Sequence, residues 1–407
     1  MLRRLAGRML AILFLPALAG AEDYALVNAH LFNGVDDRLQ EDVVVFVRDG
    51  RIEQIASRQS ADTDGYAVID MEGNVLMPGL IDAHTHLSTL GEARILLGSG
   101  VTTVRTAGVS AYQDAALAEI VRSGALPGPD IIAAGVFVTP RLGETLLADP
   151  RLGPLAGGVN SDDELRLLVD INAARGAKVI KTRGTDRAGL PGTDPRQQVY
   201  SEAQLRVIVE QAASHDIPVM VHAHGDEGAR AAVLAGAKSI EHGTYLSDET
   251  LALMKERGTW LVPTWITMNQ LGQESNNYVL RLRGLHMVPH LERVIQSAYR
   301  LGVPIATGTD SRGGMDSIRR VSLEAERFVA LGMTNFDALQ TATTSAAELL
   351  GVGDTTGRIV AGFEADLILV PANPLETIEA LHDVLMVMSN GKVAVKRLPF
   401  GLEEDGR

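Results

Sequence analysis

The sequence predicts an α/β fold, a TIM-type (β/α)8 barrel with a small β-sandwich module formed from both chain ends, and three observations carry that expectation. The middle of the chain alternates apolar strand runs with amphipathic helical stretches about eight times, which suits a closed parallel barrel. Two β-rich stretches flank that middle. The 407 residues exceed the roughly 250 that one barrel takes, leaving room for a second module. An open, doubly wound parallel sheet is the competing architecture. The expected organisation is a signal peptide over 1–21, an N-terminal sandwich segment over 22–76, the barrel over 77–355 and a C-terminal sandwich segment over 356–407.

The first 21 residues join a basic start (Arg3, Arg4, Arg8) to the apolar run Met9–Leu18 and then Ala19-Gly20-Ala21, the pattern of an export signal cut after Ala21. The run is shorter than the ~20 residues of a membrane-spanning helix and contains Pro16, so no stable membrane anchor is expected after cleavage. The mature chain is then expected to be secreted, periplasmic or extracellular.

Next, Asp42–Val47 and Arg51–Ile55 flank Asp49-Gly50, an Asp-Gly hairpin turn. A matching stretch returns at Ala365–Val370, Val384–Met388, Asn390-Gly391 and Val393–Val395, and the two together make the sandwich. Between them the expected strands are Leu80–His86, Val101–Thr106, Ile131–Val136, Lys178–Lys181, Val219–His222, Ser239–His242, Leu261–Trp265 and Pro304–Thr309. Most are continuous apolar runs, as parallel strands covered on both faces require. After Ser201, the apolar Leu205, Ile208, Val209 and Ala212 recur at helical spacing, and Ser201 with Gln204 spells a capping box that Ser161 with Glu164 repeats.

Composition narrows the function. With 46% hydrophobic and 22% charged residues the chain is an ordinary globular protein, and its net charge of −14 repels phosphate backbones, so nucleic acid is not an expected partner. The absence of cysteine removes disulfides, thiolate zinc sites and cysteine nucleophiles together. Phosphate loops, dinucleotide fingerprints and serine-nucleophile elbows are also missing.

The histidines point to metal chemistry. Four of the ten fall at C-terminal ends of expected strands, the edge where barrel active sites form. His84 and His86, two apart on one strand, face the same way and offer two imidazoles to one zinc-like ion. An H-x-H is often a surface accident, but here the apolar run Val75–Ile81 precedes it. His222 and His242 end two further strands, and His224 shares the parity of His222 and reads as a substrate-side group. Asp310 closes the last strand. A helix N-cap would explain it alone, whereas beside the histidines it reads as a metal ligand and general base. Lys181 ends the strand Val179-Ile180; as a cation it would repel a metal, but as a carbamate made with CO₂ it could bridge two ions. Arg183, Tyr245 and Arg312 follow strand ends and, with His224, could anchor a substrate carboxylate.

The segments "LMPGLIDAHTHL", "GVTTVRTAG", "GAKVIKT", "PVMVHAHG", "AGAKSIEHG", "VPTW", "IATGTDS" and "ATTSAAELLGVGDTTGRIVAGFEADLILV" resemble the amidohydrolase superfamily, in the branch of imidazolonepropionase-like proteins and zinc Xaa-Pro dipeptidases. The resemblance covers nearly the whole chain after the signal. It implies two Zn2+ ions: one held by His84, His86 and Asp310, the other by His222 and His242, with carboxylated Lys181 bridging. One departure is visible, Arg105-Thr106-Ala107-Gly108 where the family often reads Arg-Asp-Ala-Gly.

The expected reaction is hydrolysis of an amide or peptide bond in a small carboxylate-bearing substrate, such as a dipeptide or N-acyl amino acid, by metal-activated hydroxide with Asp310 as base. Two other readings stand beside it: a mononuclear hydrolase of cyclic amides or deaminase with a structural Lys181, and a non-catalytic periplasmic binding protein. Relatives of this kind are often homo-oligomers.

Overall fold

The computed structural model describes residues 22–312 and 320–398, so the expected signal peptide lies outside the described residues. The first stretch folds into β1 (Tyr24–Leu31), β2 (Gln40–Arg48), β3 (Arg51–Ser57), β4 (Ala67–Asp70) and β5 (Val75–Pro78). The middle supplies β6 (Leu80–Thr85), β7 (Val101–Thr106), β8 (Asp130–Ile132), β9 (Ile180–Arg183), β10 (Val219–Ala223), β11 (Ser239–His242) and β12 (Trp260–Val262). The last stretch adds β13 (Leu367–Val370), β14 (Met386–Ser389) and β15 (Lys392–Lys396).

Both chain ends build one eight-stranded sheet in the order β15-β14-β13-β5-β1-β2-β3, with β4 beside β1. The two hairpin turns have the left-handed backbone their Asx-Gly pairs permit, with φ of 49° and 81° at Asp49-Gly50 and 50° and 72° at Asn390-Gly391. The turn tips abut so closely that a side chain at Gly391 would lie 2.4 Å from Gly50 Cα. Strand alternation gives the sheet two apolar faces. Leu76, Leu367, Leu369 and Met388 pack into the sheet's own core, while Val75, Met77, Ile368, Val370 and Val387 join the core of the middle region.

The middle region contains two parallel sheets, β12-β11-β10-β9 and β6-β7-β8, with helices between consecutive strands. Both predicted capping boxes form, Ser161 with Glu164 and Ser201 with Gln204. The segment Pro304–Thr309 differs from expectation. It is extended but belongs to no ladder, meeting β12 through the bridge Leu261–Ile305, while the next bridge, Thr85–Ser311, meets β6. Hydrogen bonds hold it on both sides, Ala306 N to Leu261 O at 3.1 Å and Ala83 N to Thr307 O at 2.9 Å. Between the two bridges the chain turns at Asp310, whose φ is 52°. The Ile131–Val136 run likewise leaves its ladder at Ile132, before Gly135 with φ of 70°. It then bonds to the strand that follows, Val138 N to Lys181 O at 2.9 Å. Among the described residues no helix is long and apolar enough to cross a membrane.

Candidate active site

The C-terminal ends of the parallel strands surround a cavity of about 950 Å³ lined by His84, His86, Lys181, His222, His242 and Asp310. His224, Arg183 and Arg312 line it as well. Tyr245 does not; its ring packs against His290 and His286, with centroids 5.2 and 6.1 Å away.

Each imidazole is oriented from behind. His86 Nδ1 lies 2.7 Å from Gly108 O and His222 Nε2 3.1 Å from Asp186 O. A carbonyl only accepts, so these nitrogens donate, leaving His86 a lone pair on Nε2 and His222 one on Nδ1. His84 Nδ1 is 2.5 Å from Glu241, while His242 and His224 place Nδ1 2.6 and 2.8 Å from the hydroxyls of Thr264 and Thr244. Burial, then the Lys181 cation, pushes His84 down to about 4. Burial also takes His224 down to about 3, and His222 and His242 well below the usual histidine range. Burial thus favours the neutral form, the form that ligates, at His84, His222, His224 and His242.

The backbone bends to present these groups. His242 and Asp310 have positive φ, 72° and 52°, and so does Thr264 at 53°, a conformation that costs a non-glycine residue about 1–3 kcal/mol. Asp82 fixes the Asp310 strand by accepting from Thr309 N and His84 N at 3.0 and 3.1 Å and from the Thr309 hydroxyl at 2.5 Å. Asp310 Oδ1 then stands 2.9 Å from His86 Nε2 and 3.7 Å from His84 Nε2. Burial pushes its carboxyl up, but the histidines outweigh this and hold it well below the usual range.

Two triads bring nitrogen and oxygen ligand atoms within 4.8 Å of one another: His84, His242 and Asp310, and His222, His224 and His242. The grouping differs in detail from the expected one, since His224 enters a triad and His242 serves both. Lys181 is 2% exposed, and its Nζ has no hydrogen-bond partner among the described residues. Burial brings this amine down to about 8.

Sequence reasoning assigned no role to Glu241, which is fully buried between His84 and Arg105, its oxygen 3.0 Å from the guanidinium. Burial pushes Glu241 up, yet Arg105 and His84 hold it down at about 2. Its place next to His242 on β11, in Ser239-Ile240-Glu241-His242, was its one visible signal. Arg320, which binds Thr309 O and Gln270, gave no signal. At the Arg105-Thr106 departure, the buried Asp114 accepts from the Thr106 hydroxyl at 2.6 Å and from Ala134 N and Gly135 N at 2.9 Å.

A parallel α/β scaffold that gathers histidines, a lysine and an aspartate at its strand ends defines an amidohydrolase. The chain matches the Amidohydrolase family over residues 75–394 and belongs to it. It is a hydrolase of carbon–nitrogen bonds in the imidazolonepropionase- and prolidase-like branch. It is 31% identical over 367 residues to ochratoxinase of Aspergillus niger, covering 78% of this chain and 75% of that protein. To imidazolonepropionase of Sphingopyxis alaskensis it is 27% identical over 383 residues, covering 82% and 87%. Its fold is similar to that of a Xaa-Pro dipeptidase crystallised with methionine in the active site, with a TM-score of 0.82 at 29% identity over 91% of this chain and 99% of that one.

Proposed function

We propose that this amidohydrolase is metal-dependent, holds two Zn2+-type ions on His84, His86, His222, His242, Asp310 and a carboxylated Lys181, and cleaves the amide or peptide bond of a small carboxylate-bearing substrate. The observation that carries the reading is the Lys181 amine, buried among neutral imidazoles without a partner. An isolated ammonium there is costly. Its neutral form can attack CO₂ and lose a proton, giving an N-carboxylate that suits a cation pair. The all-nitrogen and oxygen donor set, with lone pairs of fixed tautomer, fits such ions. Bound there, the ions would supply Lewis-acid activation of water and carbonyl.

Within that setting Asp310 takes the proton of the attacking water and delivers it to the leaving nitrogen. Arg183, Arg187 and Arg312 line the cavity of a chain whose net charge is −14, so positive charge is concentrated where substrate enters. Arg183 lies over the Phe137 ring at 5.4 Å, and its buried Nε lacks a partner among the described residues. We assign it the substrate carboxylate, which favours dipeptides and N-acyl amino acids. The free amino acid in the related Xaa-Pro dipeptidase structure supports this choice. We further read the two parallel sheets and the Pro304–Ser311 segment as the wall of a (β/α)8 barrel, supported by the hydrogen bonds along their shared edges.

The sharing of His242 by both triads favours a second reading, a mononuclear hydrolase of cyclic amides. Elemental analysis of the zinc-grown protein, with a screen of dipeptides, N-acyl amino acids and their carboxamide-capped counterparts, tests both. Near two metals per chain, with turnover lost on capping, is expected. Near one metal, with capped or cyclic amides preferred, overturns the binuclear reading.

A further inference from the structure

At the opposite, N-terminal end of the parallel strands, Asp130, Glu364 and Asp366 bring carboxylate oxygens within 4.8 Å of one another. Asp130 opens β8, and the other two precede β13, so the group lies where the eight-stranded sheet meets the parallel strands. Asp366 is 2% exposed; its oxygens accept from Asn390 N at 2.9 Å and the Thr356 hydroxyl at 2.8 Å. Asp130 accepts from Asn390 Nδ2 at 3.1 Å. Glu364 pairs with Arg51 at 3.3 Å. Arg51 is the single cation in an ion pair with these three acids among the described residues: of the other cations on the cavity wall, Arg122 turns to Glu119, Arg175 turns to Asp149, and Lys178 makes no ion pair with them. Burial raises the pKa of all three acids, and Asp130 adds to the rise at Glu364 and Asp366.

A second observation points to a ligand. Thr103 is 1% exposed, and its hydroxyl has no hydrogen-bond partner among the described residues. It is the register partner of Asp130 across β7 and β8, so both side chains leave the sheet on the same face. Thr103, Asp130 and Glu364 all line one cavity of about 630 Å³. An unpaired buried hydroxyl and the Asp130 and Glu364 carboxyls on one cavity wall, with an Asp366 oxygen within 4.8 Å of both acids, have the polarity a cation would use.

We propose that this pocket binds one hard divalent cation of the calcium class through Asp130, Glu364, Asp366 and the Thr103 hydroxyl, pinning the eight-stranded sheet to the base of the parallel strands. The donors are oxygen only, which selects against soft metals. They are several and of mixed kind on separate segments, which suits calcium's flexible coordination better than magnesium's strict, largely hydrated octahedron.

The test is equilibrium dialysis of the metal-loaded enzyme against calcium chloride, paired with thermal melts. One calcium per chain is expected to bind beyond the active-site metals, with Kd about 10⁻⁴–10⁻³ M as in extracellular modules. A Tm rise of about 2–4 °C is expected near tenfold that concentration. Asp130→Asn, which can still accept from Asn390, should weaken binding at least tenfold and abolish the rise, with turnover unchanged. Thr103→Val, isosteric and free of the unpaired hydroxyl, should weaken binding several-fold while raising the calcium-free Tm, and it decides the matter if the Asp130 variant misfolds. No calcium uptake, or uptake unaltered in Thr103→Val, overturns the site.

Discussion

A histidine is a dependable ligand when its far nitrogen is occupied, because the tautomer and ring angle are then set before a metal arrives. Gly108 O and Asp186 O do this for His86 and His222, and Glu241 does it for His84. Because burial lowers His84 to about 4 and His224 to about 3, protons compete for these lone pairs only in strong acid. Metal content measured after dialysis is therefore expected to hold from pH 7 to near 5 and fall toward pH 4. A fall centred at 6.5 would mean ordinary imidazoles. Lys181 works in the opposite direction, since its neutral form grows as pH rises through about 8. Reactivation of metal-free enzyme by zinc with bicarbonate should accelerate over that range. Lys181→Ala should lose activity and the second metal, with partial rescue by short carboxylic acids; full turnover with both metals retained would remove the bridge.

The elements carry these groups within tight clearances. A side chain at Gly308 would meet Val262 Cγ1 at 2.4 Å and His84 Cβ at 2.8 Å, so the segment before Asp310 reaches β6 and β12 only as glycine. Gly308→Ala should cost about 1–3 kcal/mol in denaturant unfolding and lower kcat by displacing His84. A variant of native stability and rate would show that the contact yields. Glu241 links β11 to β6 through His84 and to β7 through Arg105. Glu241→Gln leaves that buried guanidinium without its anion and should cost about 3–5 kcal/mol, with loss of the metal near His84. An unshifted urea midpoint would contradict the pairing. Much of this level was legible in the sequence, because capping boxes, Asx-Gly turns and strand parity are local. The contact of Glu241 with His84 was not, since 157 residues separate them.

At the scale of the molecule, both chain ends share one sheet, and that sheet shares a core with the parallel strands. Val75, Met77, Ile368 and Val370 pack in the same cluster as Leu168, Val221 and Leu291. The core shared across one face of the sheet implies one cooperative unit, so calorimetry of the metal-loaded chain should show a single transition with calorimetric and van't Hoff enthalpies in agreement. Two separated transitions would show that the sheet unfolds on its own.

Strand order, helix starts, turn positions and the residue types offered to a metal follow from the chain itself, because each depends on neighbours within a few positions. Which imidazoles gather into one cluster, that His224 stands beside His222 and His242, that Tyr245 turns away, and that Asp114 takes the Thr106 hydroxyl were settled only on folding. Those outcomes depend on distances between residues far apart in the chain. Such distances arise only when strands close against one another and the strained backbone at His242 and Asp310 aims its side chains.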